Sequence, residues 1–341
     1  MNESATRGVL LVNVGSPDSP EPGDVRRYLA EFLDDPRVID IPAVWRKLLL
    51  HLFILPFRPR RSGEAYRKIW TDEGSPLVVT SAQVADLLRA RVEIPVEVAM
   101  RYGRPSLSSA VQALVEGGVD HLLLIPLFPH YAMSSYETAV ERTREVVAEL
   151  GPEVDLHVQP PFYDDPAYIE ALYAVARPAL ETGPDRVLFS FHGVPERQVR
   201  KTDPSGAFCL QVEGCCDLTH AAQAFCYRHQ VLATASALAA RAGLAPQQWS
   251  VAFQSRLGRT PWLGPFAAEV LRDLPGEGVR DLVVVCPSFV ADCLETLEEM
   301  GIRGREAFLG AGGERFTLVP CLNTEPRWIA FLENRVRAWM A

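Results

Sequence analysis

The chain reads as an α/β protein of two similar lobes, each a parallel sheet flanked by helices. Two observations predict this. Apolar runs alternate with helical periodicity along the chain, and the order of segments in the first half recurs in the second. "VLLVNVGSP" at 9–17 parallels "VLFSFHGVP" at 187–195, and "VAMRYGRP" at 98–105 parallels "VAFQSRLGRTP" at 251–261. "LIPLF" at 124–128 parallels "VCPSF" at 285–289, and each is followed within ten residues by "ET", at 137–138 and 295–296. One such match is expected by chance between apolar strands; three in the same order argue for duplicated halves.

Taken in order, strands are expected near 8–14, 95–101, 120–127 and 154–158, then near 186–191, 249–254, 280–286 and 315–319. "SAQVADLLRARV", "SALAARAGL" and "LETLEEM" carry the helical spacing between them. Apolar runs bounded by helices are the mark of parallel sheets covered on both faces, the Rossmann-like or flavodoxin-like arrangement. The expected division is a first lobe over 1–175, a second over 176–325, and a closing helix over 326–341 that packs back on the first lobe. Ligands of such sheets bind beyond the carboxyl ends of the strands. His192, Arg101, Tyr102, Gln254, Ser255 and Phe289 fall at such ends, so a cleft between the halves is expected to gather them.

Composition narrows the partners. The 341 residues are 48% hydrophobic, with 34 basic and 43 acidic residues and a net charge of −9. No block of like charge stands out, which argues against nucleic acid. The amino-terminal "MNESATRGVLLVNVG" lacks the apolar run and flanks of a signal peptide. No apolar run reaches the roughly 18 residues of a membrane span, so a cytoplasmic protein is expected. The stretch 45–61, "WRKLLLHLFILPFRPRR", has two readings: a core helix, or a hydrophobic lip that admits a greasy ligand or touches the inner face of a membrane through its apolar and basic residues.

Three sets of residues bear on chemistry. "LFSFHGVP" at 188–195 ends a buried strand in a turn, with His192 at its last position. A lone histidine is as often a satisfied core residue as a working one. After the next strand-to-helix turn, "VVVCPSFVADCLETLEEM" places Asp292, Glu295 and Glu299 at i, i+3 and i+7, one face of an α-helix. A solvated acidic face is the bland alternative; one imidazole beside a row of carboxylates suits a divalent metal in transit or a proton relay. Four of the seven cysteines, Cys209, Cys215, Cys216 and Cys226, fall within 18 residues, and in a reducing compartment such a cluster favours metal over disulfides. The other three, Cys286, Cys293 and Cys321, are scattered in the sequence. Phosphate-binding, dinucleotide-binding and hydrolase-elbow motifs are missing from the sequence.

Together, "LLVNVGSPDSPEPGDVRRYLAEFLDDPRVIDIP", "MRYGRPS", "FSFHGVP", "FQSRLGRTPWLGP" and "SFVADCLETLEE" resemble the ferrochelatases, over about residues 8 to 330. The resemblance implies a two-lobed chelatase-type fold, insertion of Fe2+ into protoporphyrin IX to form protohaem, and hence lyase chemistry. It implies that His192 faces the centre of the macrocycle with Glu295 on the same side, both candidate contacts for the Fe2+, and Asp292 and Glu299 along the same helix; iron entry on the His192 side or from the opposite face both stay open. Arg101, Tyr102, Phe289 and Trp262 match pocket positions, with Gln254 and Ser255 beside them, and residues 41–57 match the apolar flap at the porphyrin entrance. Arg67 and Arg256 are suited to bind the porphyrin carboxylates through charge-assisted hydrogen bonds. Removing two pyrrole protons and desolvating the metal calls for a base and for a pocket that bends the ring.

Three departures from the family pattern matter. Cys293 stands where animal members have histidine. Val14 stands where coproporphyrin-using members carry tyrosine, which favours protoporphyrin. The chain ends at "RAWMA" without the cysteines that animal members carry there, and Met133 lies near where their fourth would fall. The internal set Cys209, Cys215, Cys216 and Cys226 suits a 2Fe–2S cluster, as in some bacterial members. Zinc and free thiols are the alternatives; His220 and His229 nearby are substitutes for one ligand, with core or surface roles the favoured reading of both. Two other functions stay open at this point: a porphyrin or haem carrier without catalysis, and a cobalt or nickel chelatase of the same class.

Overall fold

The computed structural model describes residues 6–256, 258 and 260–341. The chain divides into two compact units. The first comprises the residues through Phe128, Met133–Pro161 and Ile329–Ala341; the second comprises Pro129–Ala132 and Phe162–Trp328. In the first unit, β1 (Arg7–Ser16), β2 (Val96–Gly103), β3 (His121–Pro126) and β4 (Asp155–Val158) form a parallel sheet in the order β2-β1-β3-β4. In the second, β5 (Arg186–His192), β6 (Trp249–Gln254), β7 (Asp281–Val285) and β8 (Arg315–Leu318) repeat that order as β6-β5-β7-β8.

Strand position in each sheet follows from composition. Val9, Leu10, Leu11 and Val12 of the central β1 are all fully buried, as a strand flanked by two others and covered on both faces requires. The edge strand β4, "DLHV", alternates exposed and half-buried instead. Leu107–Glu116 is a typical covering helix: Ser106 caps it by accepting from Ser109 N at 3.1 Å, and Leu107, Ala110, Val111 and Leu114 form its buried stripe.

The expected division at 175 falls inside the helix Pro166–Leu180, which lies wholly in the second unit. Its buried face, which includes Tyr168 and Leu172, packs on β7 and on the helix Tyr227–Arg241, and Tyr168 donates to the Pro287 carbonyl at 2.6 Å. The closing helix Pro326–Met340 belongs to the first unit from Ile329 onward. There Arg337 donates to the Arg91 carbonyl at 2.9 Å, and Arg7 lies 5.7 Å over the Trp339 ring.

The repeat extends to register. His192 pairs with Gln254, while Asn13–Met100 and Gly15–Tyr102 bracket Val14 and Arg101. Val14 therefore occupies in the first sheet the place of His192 in the second, and Arg101 the place of Gln254. Each slot is followed by a glycine against the neighbouring strand. A Cβ on Gly15 would lie 1.8 Å from the Tyr102 carbonyl oxygen, and one on Gly193 would lie 2.8 Å from that of Gln254. Met100 N donates to Pro105 O at 2.7 Å and Phe253 N to Pro265 O at 2.8 Å, so the counterpart of Pro105 is Pro265. The sequence match to Pro261 is displaced because the second loop is longer.

The stretch read as a core helix or a lip is exposed. Ala43–Leu49 continues as a π-helix over Leu50–Ile54. Leu50 and Leu55 are buried and Arg46 is anchored to Asp34 at 3.2 Å, but Trp45, Phe53 and Phe57 are 64%, 66% and 73% exposed. The core-helix alternative is thereby overturned, since a core helix would bury those rings. Among the described residues no helix is long and apolar enough to cross a membrane.

Candidate active site

The second unit gathers most of the expected residues at the carboxyl ends of its strands. His192, the last residue of β5, is half-buried, and its ring meets Phe289 edge-on at 6.4 Å. Its Nδ1 lies 2.6 Å from the Gly193 carbonyl oxygen. A carbonyl can only accept, so Nδ1 is the donor, and in the neutral form of the ring Nε2 is the acceptor. Tyr227 fixes the backbone beneath, donating to the His192 carbonyl at 2.8 Å.

The acidic row is differently built from its expected form. Glu295–Gly304 is a π-helix, with about 4.4 residues per turn rather than 3.6. Glu295 and Glu299, four apart, still share a face. Glu298 turns inward, 3% exposed, and pairs with Arg303 at 2.8 Å. Asp292 precedes the helix altogether. Its carboxylate accepts from Asn323 Nδ2 at 2.7 Å and Cys321 N at 3.2 Å, which ties the turn after β7 to the turn after β8. The expectation of three acids on one α-helical face is corrected to two on a π-helical face and one loop tie.

Gln254 and Ser255 hold this helix in place. Gln254 is 2% exposed; it accepts from Ser190 Oγ at 2.7 Å and donates to the Glu295 carbonyl at 2.9 Å. Ser255 adopts a left-handed φ of 66°, a conformation costly for a residue with a Cβ. Its N–H donates to Glu299 Oε1 at 2.9 Å and its hydroxyl to Oε2 of the same carboxylate. Trp262 covers Gly193, and its Nε1 is buried with no partner among the described residues. The Arg256 guanidinium lies 4.5 Å over the Phe266 ring.

In the first unit, Arg101 and Tyr102 are bound to Asp35. Arg101 Nη2 donates at 2.6 Å and the Tyr102 hydroxyl at 2.9 Å, and Thr138 donates to the same oxygen. Burial raises the Asp35 carboxyl, but the donors from Thr138, Arg37 N, Arg101 and Tyr102 outweigh it and hold the pKa below the ordinary value. Tyr102 is 1% exposed, so its ring belongs to the core. Arg67 pairs with Glu21 at 3.2 Å on the surface, and Val14 is half-buried on β1.

Cys209, Cys215 and Cys226 are buried and Cys216 half-buried. The Cys226 thiol is in hydrogen-bond contact with Cys209 and Cys216, and Cys215 with Cys216. Arg228 Nη1 lies 3.6 Å from Cys216 Sγ and 3.9 Å from Cys215 Sγ. Asp203 shapes the loop by accepting from Phe208 N and Cys209 N, each at 2.8 Å. His220 stacks on Phe208 and caps a short helix, and His229 Nδ1 contacts the Cys216 carbonyl, so both are engaged away from the thiols. Among the described residues no group of three or more His, Cys, Asp or Glu is arranged to hold a metal ion.

Two features escape sequence reasoning. His130 is fully buried; Nε2 lies 2.9 Å from Thr234 Oγ1, and the ring packs edge-on against Phe191 and Tyr227, one layer behind His192. Burial pushes its pKa down to about 3, so it is a neutral core residue. Cys286, Cys293 and Cys321 are all buried, and burial pushes each thiol up; the Asp292 carboxylate acts on the first and last, and Glu295 on Cys293. Cys293 sits between Asp292 and Glu295 in the sequence, whereas folding brings Cys286 and Cys321 to Asp292.

The sequence model described as Ferrochelatase matches residues 6–339. A protein named Ferrochelatase from Opitutus terrae is 52% identical over 337 residues, 98% of each chain. Another from Ectopseudomonas mendocina is 50% identical over 327 residues, 95% of this chain and 96% of that one. Among solved structures, the sirohydrochlorin chelatase SirB from Bacillus subtilis subspecies spizizenii in complex with cobalt has a TM-score of 0.56 at 14% identity, covering 97% of this chain and 94% of that one. At that identity the likeness is one of fold.

Proposed function

The chain belongs to the ferrochelatase family, and from that premise we propose that His192 is the base of its reaction and the Glu295–Glu299 face its proton exit. The chain is a metal-chelating lyase of haem biosynthesis that inserts Fe2+ into protoporphyrin. For each Fe2+ that enters, two pyrrole protons leave. The observation that carries the assignment is the 2.6 Å contact of His192 Nδ1 with Gly193 O, which leaves Nε2 free to accept. Glu295 begins the adjoining π-helix, and Glu299 is held on the same face by Ser255. Asp292, engaged with Asn323 and Cys321, supports that helix from below. Phe289 and Trp262 offer apolar surface beside His192, and the orphan Trp262 Nε1 is a donor for an anionic group of the porphyrin. Arg67 in the first unit and Arg256 in the second are candidates for the propionates. Arg101, Tyr102 and Gln254 act by holding neighbours rather than by touching the ring.

The test uses Zn2+ as a fluorescent surrogate metal. The unchanged protein forms many equivalents of zinc porphyrin, whereas His192→Ala loses roughly 100- to 10,000-fold in kcat and still binds porphyrin. Near-normal turnover in that variant refutes the assignment. Product formed only one-to-one with protein would mark a carrier, and anaerobic competition among Fe2+, Co2+ and Ni2+ tests the metal.

Cys209, Cys215, Cys216 and Cys226 hold a 2Fe–2S cluster in this reading. Four thiols in one chain of contacts, three of them buried, with a guanidinium donating to two of them, fit a soft-donor site for an anionic cluster. When bound, the cluster supplies a one-electron redox centre and a clip across the insert. The exposed Trp45, Phe53 and Phe57, with Arg58, Arg60 and Arg61 after them, support peripheral contact with an anionic membrane surface.

A further inference from the structure

The two sides of the four-thiol set differ. Cys209, Cys215 and Cys226 are 1%, 3% and 2% exposed, and Cys216 alone is half-buried. Beside Cys215 a cavity of about 500 Å³ opens, lined by Glu196, Leu210, Glu213, Cys215, Arg228 and Leu263 among others. Arg228 stands at this open edge, its guanidinium 3.6 Å from Cys216 Sγ and 3.9 Å from Cys215 Sγ. It is held there by the fold, because it occupies the first turn of the helix Tyr227–Arg241, for which Cys226 itself is the N-cap. The amino end of that 15-residue helix adds partial positive charge of the same sign.

A 2Fe–2S cluster on four thiolates gains one negative charge when it takes up an electron, with no proton moved and no bond broken. A fixed cation and charged N–H donors on the sulfurs favour the more negative state, and hydrogen bonds to sulfur are a principal control of potential in such clusters. We infer that Arg228 is a positioning residue that raises the reduction potential of an iron–sulfur cluster on these cysteines, and that the Cys215–Cys216 edge is where electrons enter and leave. The inference rests on the cluster reading given above.

The experiment is a potentiometric titration of the protein isolated with its cluster under anaerobic conditions. Dithionite is the electron donor, and electron paramagnetic resonance is the readout. Arg228→Gln should lower the midpoint by at least a tenfold change in the oxidised-to-reduced ratio, 59 mV for a one-electron couple. Arg228→Lys, which keeps the charge but not the fork, should fall between. Arg241→Gln, at the far end of the same helix, should leave the midpoint unchanged. A cluster-bearing Arg228→Gln variant with the unchanged midpoint overturns the inference while leaving the cluster in place. Loss of the cluster from both Arg228 variants also overturns it, in favour of a purely structural role. Absence of stoichiometric iron and sulfide from the unchanged protein refutes the cluster itself.

Discussion

Gln254→Leu separates a strut from a ligand contact. Leucine roughly conserves volume, but it strands two buried groups: the Ser190 hydroxyl, now donating at 2.7 Å, and the Glu295 carbonyl, now accepting at 2.9 Å. Each stranded group costs about 1–3 kcal/mol, offset in part by the apolar burial of leucine, for a net of about 2–4 kcal/mol. In a unit of this size that lowers Tm by roughly 5–15 °C. The Glu295 end of the π-helix loses its tie to β6, and displacement by about 1 Å costs up to roughly 100-fold in rate. Thermal unfolding should therefore show the drop, and zinc-insertion kinetics should show kcat falling while KM for porphyrin holds. An unchanged Tm and kcat with a tenfold rise in KM would mean that Gln254 touches the substrate, and would refute the strut.

Other predictions follow from the same structure. His130 has its pKa lowered by burial to about 3, so the unfolded chain binds that proton first; the stability it contributes is present above about pH 6.5 and is lost as pH falls toward 3. Going from pH 7 to pH 5 should cost about 2 kcal/mol through this residue alone, seen in urea midpoints; an equal pH effect in His130→Gln would show that the imidazole is not responsible. Trp45→Ser with Phe53→Ser should weaken partition onto anionic vesicles about 100-fold or more, and rising salt should weaken it further; unchanged flotation would rule the lip out as a membrane contact. Val14 leaves an apolar wall on β1, so kcat/KM should favour protoporphyrin over coproporphyrin and Val14→Tyr should narrow the ratio; a reversed preference in the unchanged chain would show that position 14 does not report the substrate.

The sheets were legible because buried strands announce themselves. "LLV" in β1 and "VLFSF" in β5 have no polar alternation to confuse with a surface helix, and the twofold repeat, carried by three correspondences, matched strand to strand. Side-chain partnership was not legible. Arg101 and Tyr102 looked available at a strand end, but Asp35, which engages both, lies 66 and 67 residues away in the chain. The spacing of Asp292, Glu295 and Glu299 was read with an α-helical period, and a π-helix cannot be foreseen from a pattern that fits the commoner period. Cys321 looked remote because the π-helix and β8 separate it in sequence from Cys286 and Cys293, while folding brings it and Cys286 toward Asp292.

The shared slot after the central strand has an evolutionary consequence. Val14 and His192 stand at one position of a doubled scaffold, each followed by a glycine pressed on its neighbour. In the proposed reaction only the socket of the second sheet holds the reactive side chain. Under that proposal a substitution at Val14 leaves the imidazole and its contact with the Gly193 carbonyl untouched. The first-sheet socket is then free to vary with the ligand while the second keeps its chemistry.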